Sequence, residues 1–180
     1  MGTHRRLAIT LAASVAVFAA AAAAARAQGA PPTVVIVVRH AEKAAVEGSD
    51  PPLSEAGAKR AQRLVVVAED AGVEAIYTTQ FKRTRDTAQP AADRLKVPVT
   101  AVEVTRENIN SHPASLAKEI LSKHKGKSVL VVGHSNTTTM IVEALSGRKV
   151  PALDDATDFD ALFVVVLPDA GAPRLVKGKY

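Results

Sequence analysis

Thr33-Val34-Val35-Ile36-Val37-Val38-Arg39-His40-Ala41-Glu42-Lys43 is the stretch that decides the fold. Six β-branched residues run without a polar interruption and then give way to a guanidinium and an imidazole. A continuous apolar run of this kind predicts a strand buried on both faces, the kind that fills a parallel sheet between two layers of helices. Open α/β sheets bind their ligands at the carboxyl ends of such strands. Arg39 and His40 are therefore a candidate anion clamp and nucleophile.

Working outward, a second run of the same character is Ser128-Val129-Leu130-Val131-Val132-Gly133, and it too ends in a histidine, His134. Ser135 or Asn136 can cap a helix over Thr137 to Leu145, with Gly147 as its terminator. His134 would then stand at a helix N-terminus, where free amides and the helix dipole favour anions. A single histidine at a strand end is usually a satisfied core residue. Two, at the ends of the two most buried strands, point to one shared site if the strands are parallel and central.

The segments between supply the crossovers. Gly48-Ser49-Asp50-Pro51-Pro52 is a loop signal leaving the first strand's end. Ser54 caps a helix whose Ala61, Leu64, Val65 and Ala68 repeat at helical spacing, ended by Gly72. Val73 to Tyr77 reads as a strand. The polar turn after it leads into a helix from about Phe81 to Leu95, which Pro90 should kink or restart. Either Arg83 or Arg85 could face the site from that helix, and spacing does not choose between them. Val97 to Val104 contains a third strand, Thr105 to Pro113 a loop, and Ser115 to Lys123 a helix. Asp154 to Asp160 reads as an acidic linker, Ala161 to Leu167 as a strand, and Arg174 to Val176 as its hairpin partner. The expected fold is a three-layer α/β/α domain over residues 28–180, with a mostly parallel central sheet and an antiparallel C-terminal edge strand.

Residues 1–27 stand apart. Arg5 and Arg6 precede an apolar stretch from Leu7 to Ala25, and Ala25-Arg26-Ala27 has the small-x-small pattern of a cleavage site. The expectation is a secretory signal peptide cut after Ala27 and a periplasmic or secreted protein. An uncleaved anchor is disfavoured because the second half of the run is mostly alanine. The full chain carries a net charge of +5, and the residues after Ala27 only +2. Six scattered aromatic residues and no basic stripe argue against a nucleic-acid partner. With no cysteine, disulfides, thiol chemistry, cysteine-ligated zinc and the cysteine-borne lipid of a bacterial lipoprotein are excluded.

Three chemistries compete for the two histidines. Gly133-His134-Ser135-Asn136-Thr137 lacks the last glycine of a nucleophile elbow, and no histidine follows it in the chain, so a serine hydrolase is rejected. His40, Glu42 and His134 could ligate a metal, but Arg39 would repel the cation and no His-Glu-x-x-His pattern exists. Phosphoryl transfer through a phosphohistidine fits better. It needs a neutral imidazole, guanidinium groups on the phosphoryl oxygens, and a carboxylic acid for the leaving oxygen.

The three blocks together resemble the histidine phosphatase superfamily, the group of phosphoglycerate mutases and small phosphohistidine phosphatases. Arg39-His40-Ala41-Glu42 is similar to its Arg-His-Gly signature, with alanine at the glycine position. Arg83-Thr84-Arg85-Asp86-Thr87-Ala88 resembles its Arg-Ala-x-Gln-Thr-Ala block, in a register that selects Arg83. Gly133-His134-Ser135 matches its Gly-His-Ser block. The resemblance runs from about Thr33 to the C-terminus. It implies a phosphoglycerate mutase-like fold and a metal-independent, cofactor-free phosphatase. His40 would be the nucleophile, and Arg39, Arg83 and His134 would hold the phosphoryl group. The general acid, a glutamate after the third strand in many members, would be Glu103 first, with Glu107 and Glu42 as alternates. Ala41 is expected to restrict a backbone conformation that glycine would allow.

The expected partner is a phosphorylated small molecule, a phosphosugar or a phosphoprotein. A mutase is disfavoured by the short chain and the outward address. A non-catalytic phosphate-binding module on the same fold is the competing reading.

Overall fold

A computed structural model describes residues 30–180. The signal peptide expected over residues 1–27 lies outside them. Among the described residues no helix is long and apolar enough to cross a membrane.

The ten elements alternate as expected: β1 (Thr33–Arg39), α1 (Glu55–Asp70), β2 (Val73–Thr78), α2 (Lys82–Leu95), β3 (Val99–Ala101), α3 (His112–Lys123), β4 (Ser128–Gly133), α4 (Ser135–Ser146), β5 (Ala161–Leu167) and β6 (Arg174–Lys179). One six-stranded sheet has the order β3-β2-β4-β1-β5-β6. The first four of these are mutually parallel. β5 pairs antiparallel with β1, and β6 antiparallel with β5 at the edge. The alternation of buried strands and amphipathic helices gives the mostly parallel α/β sheet expected, and its strand order is the phosphoglycerate mutase-like one that the family resemblance implies.

β1 and β4 are central, which is why neither alternates apolar with polar residues: both faces are covered. Val35, Val37, Val129 and Val131 point to one face and pack with Leu116, Ile120, Ile141 and Leu145 of α3 and α4. Ile36, Val38, Leu130 and Val132 point to the other and pack with Leu64 and Ala68 of α1 and Ala88, Ala91 and Ala92 of α2. Pro90 lies inside α2 and does not end it. It costs one ladder bond, while the alanine face around it stays buried against α1.

Several details differ from the sequence reading; β6, expected over Arg174 to Val176, runs to Lys179. β3 spans only Val99–Ala101 and pairs with β2 alone. As an edge strand with one partner, it releases Val102 to Val104 into the loop. α3 starts earlier, at His112, because Pro113 suits the first turn of a helix, where no N–H is needed. Asp154 to Asp160 is no linker but a loop folded on itself. Asp154 accepts from the N–H groups of Ala156 and Thr157, and Asp158 accepts from that of Asp154.

Candidate active site

The register of the two central strands builds the site. Arg39 pairs with Gly133 in the β1–β4 ladder, so the next residues, His40 and His134, emerge side by side at the sheet's carboxyl edge. Their rings meet edge to face with centroids 5.5 Å apart. β2 ends at Thr78, level with Val132, and its continuation Thr79 places a hydroxyl 2.9 Å from His134 Nε2. The strand ends open into a cavity of ≈ 590 Å³ whose lining includes Arg39, His40, Arg83 and His134.

His40 is 4% exposed. Its Nδ1 lies 2.8 Å from the Ala41 carbonyl oxygen. A carbonyl can only accept, so Nδ1 carries the proton and the neutral ring keeps its lone pair on Nε2. Burial, reinforced by the charges of Arg83 and Arg39, lowers the His40 pKa to about 4. Burial and then Arg83, His40 and Arg39 lower that of His134 to about 3. Both imidazoles are therefore neutral at ordinary pH, the form a nucleophile needs.

The arginines approach from two sides. Arg39, 3% exposed at its side chain, donates from Nη1 and Nη2 to the carbonyls of Asp154 and Asp155 at 2.9 and 2.8 Å. The ring of Phe159 stacks on its guanidinium at 4.0 Å. Arg83, in the first turn of α2, stacks on Phe81 at 4.3 Å and reaches Asp50 at 3.6 Å. Its Nη2 lies 3.4 Å from His134 Nδ1. The buried Nε of each arginine has no hydrogen-bond partner among the described residues. Two orphaned cationic N–H groups beside the start of α4 suit an anion with several oxygens. Arg85, two residues on, is exposed on the outer face of α2.

Of the candidates read from the sequence, His40, Arg39, Arg83 and His134 thus converge. The glutamates do not. Glu103 lies beyond the shortened β3, exposed, and is absent from the cavity wall; its neighbours Val104, Thr105 and Arg106 line the wall instead, because Gln80 clamps the Val104 backbone through both its N–H and C=O. Glu107 is also exposed and outside the wall. The Glu42 carboxylate turns to Arg60, whose Nη2 donates at 2.6 Å and whose Nε spans both oxygens at 3.0 and 3.1 Å. This pairing holds Glu42 below the usual carboxylate range.

Three contributors escaped the sequence reading. Thr79 follows a strand end, as both histidines do, and the same rule could have found it. Asp155 and Phe159 belong to the stretch taken for a linker, and no pattern there signals that Arg39 would organise it.

Comparison with known proteins agrees with this geometry. The model of the histidine phosphatase superfamily (branch 1) matches residues 35–112. Among solved structures, the protein histidine phosphatase SixA complexed with tungstate is 22% identical, with a TM-score of 0.62 over 81% of this chain and 96% of that one. A putative phosphohistidine phosphatase SixA from Agrobacterium tumefaciens is 25% identical, with a TM-score of 0.56 over 81% and 96%. Phosphoserine phosphatase from Entamoeba histolytica, in complex with 3-phosphoglyceric acid, is 14% identical with a TM-score of 0.61 over 82% and 97%. No functionally curated protein matches the chain in sequence. Family match, sheet order and the meeting of three separate motifs at one sheet edge agree on one family, the histidine phosphatase superfamily, whose model matches residues 35–112 of this chain.

Proposed function

We propose that the protein is an exported, metal-independent phosphatase that hydrolyses phosphate monoesters or phosphohistidine through a covalent phosphohistidine at His40. The observation that carries the proposal is the juxtaposition of His40 and His134, ring centroids 5.5 Å apart, beneath two guanidinium groups with unpartnered Nε donors. His40 Nε2 attacks phosphorus, in line with the bond to the leaving oxygen. Arg39, Arg83 and His134 meet the three equatorial oxygens, where charge is spread in the transition state. Water then attacks the P–N bond, releasing phosphate and the neutral imidazole. Export rests on the charge and apolar pattern of residues 1–27.

The substrate class is a phosphorylated small molecule, phosphosugar or phosphoprotein side chain. The cavity is several times larger than a phosphoryl group, which leaves room for such a leaving group at its mouth. A non-catalytic phosphate-binding module draws support from one observation, that Glu42, Glu103 and Glu107 all stand outside the cavity wall.

One experiment separates the two readings. Purified protein is incubated with ³²P-labelled aryl phosphate in chelator, quenched, and assayed for acid-labile, base-stable label and for released phosphate. The phosphatase reading expects both, and expects both to vanish in His40→Ala. Binding of phosphate without label or turnover across a broad panel would favour the binding module.

A further inference from the structure

The reaction proposed above needs a proton at the leaving oxygen whenever the departing alcohol is a poor leaving group, and none of the three glutamates read from the sequence lines the cavity. Among the described residues one carboxylate lines the cavity that holds His40, and it is Asp155. We propose that Asp155 is the general acid and base of this site, a role that rests on the phosphohistidine reading.

Its position follows from the loop before β5. Both Nη groups of Arg39 bond the carbonyls of Asp154 and Asp155. Asp154 Oδ1 closes the turn behind them on the N–H groups of Ala156 and Thr157. Phe159 then packs on the guanidinium and comes within 6.2 Å of the His40 ring. The main chain of the loop is thus fastened to an arginine that adjoins the nucleophile. The Asp155 carboxylate projects from this platform, 3.3 Å from Arg39 Nη2 and 82% exposed.

That exposure sets the carboxyl on the solvent side of the site, within reach of a departing group. His40 lies buried at the cavity floor. In-line displacement puts the leaving oxygen on the far side of phosphorus from the attacking nitrogen, toward the mouth, where Asp155 stands. Asp50, the carboxylate beside Arg83, is committed to the Lys82 N–H and to that arginine.

The proton ledger closes over one cycle. In the first step the P–N bond to His40 Nε2 forms and the P–O bond to the alcohol breaks. The Asp155 carboxylic acid passes its proton to the leaving oxygen and becomes a carboxylate. In the second step water attacks phosphorus and the P–N bond breaks. The Asp155 carboxylate takes the proton from that water, and the acid is restored.

The test is the leaving-group dependence of kcat/KM, which for a two-step transfer reports the step that phosphorylates His40. Wild type, Asp155→Asn and Glu103→Gln are assayed on a series from p-nitrophenyl phosphate to simple alkyl phosphates. Asp155→Asn should lose about 100-fold or more on the alkyl substrates and far less on the aryl ones, so that the plot against leaving-group pKa steepens. Asp155→Glu, which keeps an acid, should recover the shallow slope, and Glu103→Gln should retain it. A loss in Asp155→Asn equal across the series would mark a purely structural loop residue and overturn the proposal. So would an unchanged slope, or a steepened one in Glu103→Gln. A wild-type protein that neither labels on His40 nor turns over would instead sink the phosphatase reading, and Asp155 with it.

Discussion

Thr79 Oγ1 lies 2.9 Å from His134 Nε2, and the hydroxyl behind it sets the direction of that bond. Thr84 Oγ1 gives its proton to a carbonyl, that of Phe81 at 2.8 Å or Thr79 at 3.1 Å. At its 2.9 Å contact with Thr79 it must therefore accept. Thr79 spends its own proton there and can only accept from His134. The imidazole of the free protein is thus the Nε2–H tautomer, with its Nδ1 lone pair toward Arg83, and a bound phosphoryl dianion raises the ring's pKa so that Nδ1 carries a proton when it meets an equatorial oxygen. Thr79→Val should leave a buried N–H unpaired, at a cost of about 1–3 kcal/mol. If that cost falls on the transition state, kcat/KM drops about 10- to 100-fold, and Thr79→Ser should restore it. ¹⁵N chemical shifts of His134 report the tautomer directly, and Nδ1 protonation in the free wild type would refute the assignment.

The two active-site histidines titrate far below their ordinary value of 6.5, His40 at about 4 and His134 at about 3. Proton NMR of the free protein should show both rings neutral from pH 8 down to about 5. The same displacement makes folding pH-dependent, and its sign is fixed. Once unfolded, the two rings regain a pKa near 6.5, so below that pH the unfolded chain binds more protons than the native one. The stabilisation from keeping both rings neutral is complete above pH 6.5 and is lost as pH falls through 4 and then 3. Denaturant midpoints between pH 7 and 4 should therefore decline, and a His40→Asn, His134→Asn double variant should decline less. An equal decline in the double variant would place the linked protons elsewhere.

The parts of the site legible in the sequence are those fixed by the sheet. β1 and β4 announce themselves by unbroken β-branched runs, and their ends locate Arg39, His40 and His134 without any knowledge of loops. Arg83 needed family resemblance, since Arg83 and Arg85 are chemically alike and only the phase of α2 separates a cavity residue from a solvated one. What could not be read depends on tertiary pairing. Glu103 looked well placed because it follows the third strand, but Gln80 fixes the Val104 backbone so that Val104, Thr105 and Arg106 line the cavity and Glu103 does not. Asp155 looked like linker because a loop organised by a distant arginine has no periodicity of its own. Ala41 is instructive for the opposite reason. Alanine at the family's glycine position suggested a restricted backbone, yet Lys96 is the sole non-glycine residue with positive φ among the described residues. Ala41 is buried, and its N–H donates to Thr87 Oγ1 at 2.9 Å. Ala41→Gly should therefore gain no needed conformation. It should lower stability by about 0.4–1 kcal/mol through the freer unfolded chain, without raising kcat. A several-fold faster Ala41→Gly enzyme would show that the methyl group does hinder the site.

The close approach the chain does require of a glycine lies on α1. A Cβ on Gly57 would overlap the carbonyl oxygen of Glu42, two residues after the nucleophile. That oxygen also accepts from the Ser54 N–H at 2.9 Å. One turn on, Arg60 grips the Glu42 carboxylate and donates from Nη1 to the Tyr180 carbonyl at 3.1 Å. The Tyr180 hydroxyl in turn donates to the Arg39 carbonyl at 3.3 Å. α1 thus holds the main chain of Arg39 to Glu42 from beneath, and His40 inherits its position from that contact. Gly57→Ala has to push either the helix or the nucleophile's segment aside. Overpacking of this kind costs about 1–3 kcal/mol, and part of it should appear as displacement of His40 and a lower kcat/KM. Gly72→Ala is the matched control. Gly72 sits at φ +59° with open space where a side chain would go. Its alanine should cost about 1 kcal/mol through the backbone alone, with kcat/KM unchanged. Urea midpoints and kcat/KM measured on both variants decide the matter. If Gly57→Ala lowers the midpoint and spares kcat/KM as Gly72→Ala does, the helix supports the fold but does not position the nucleophile.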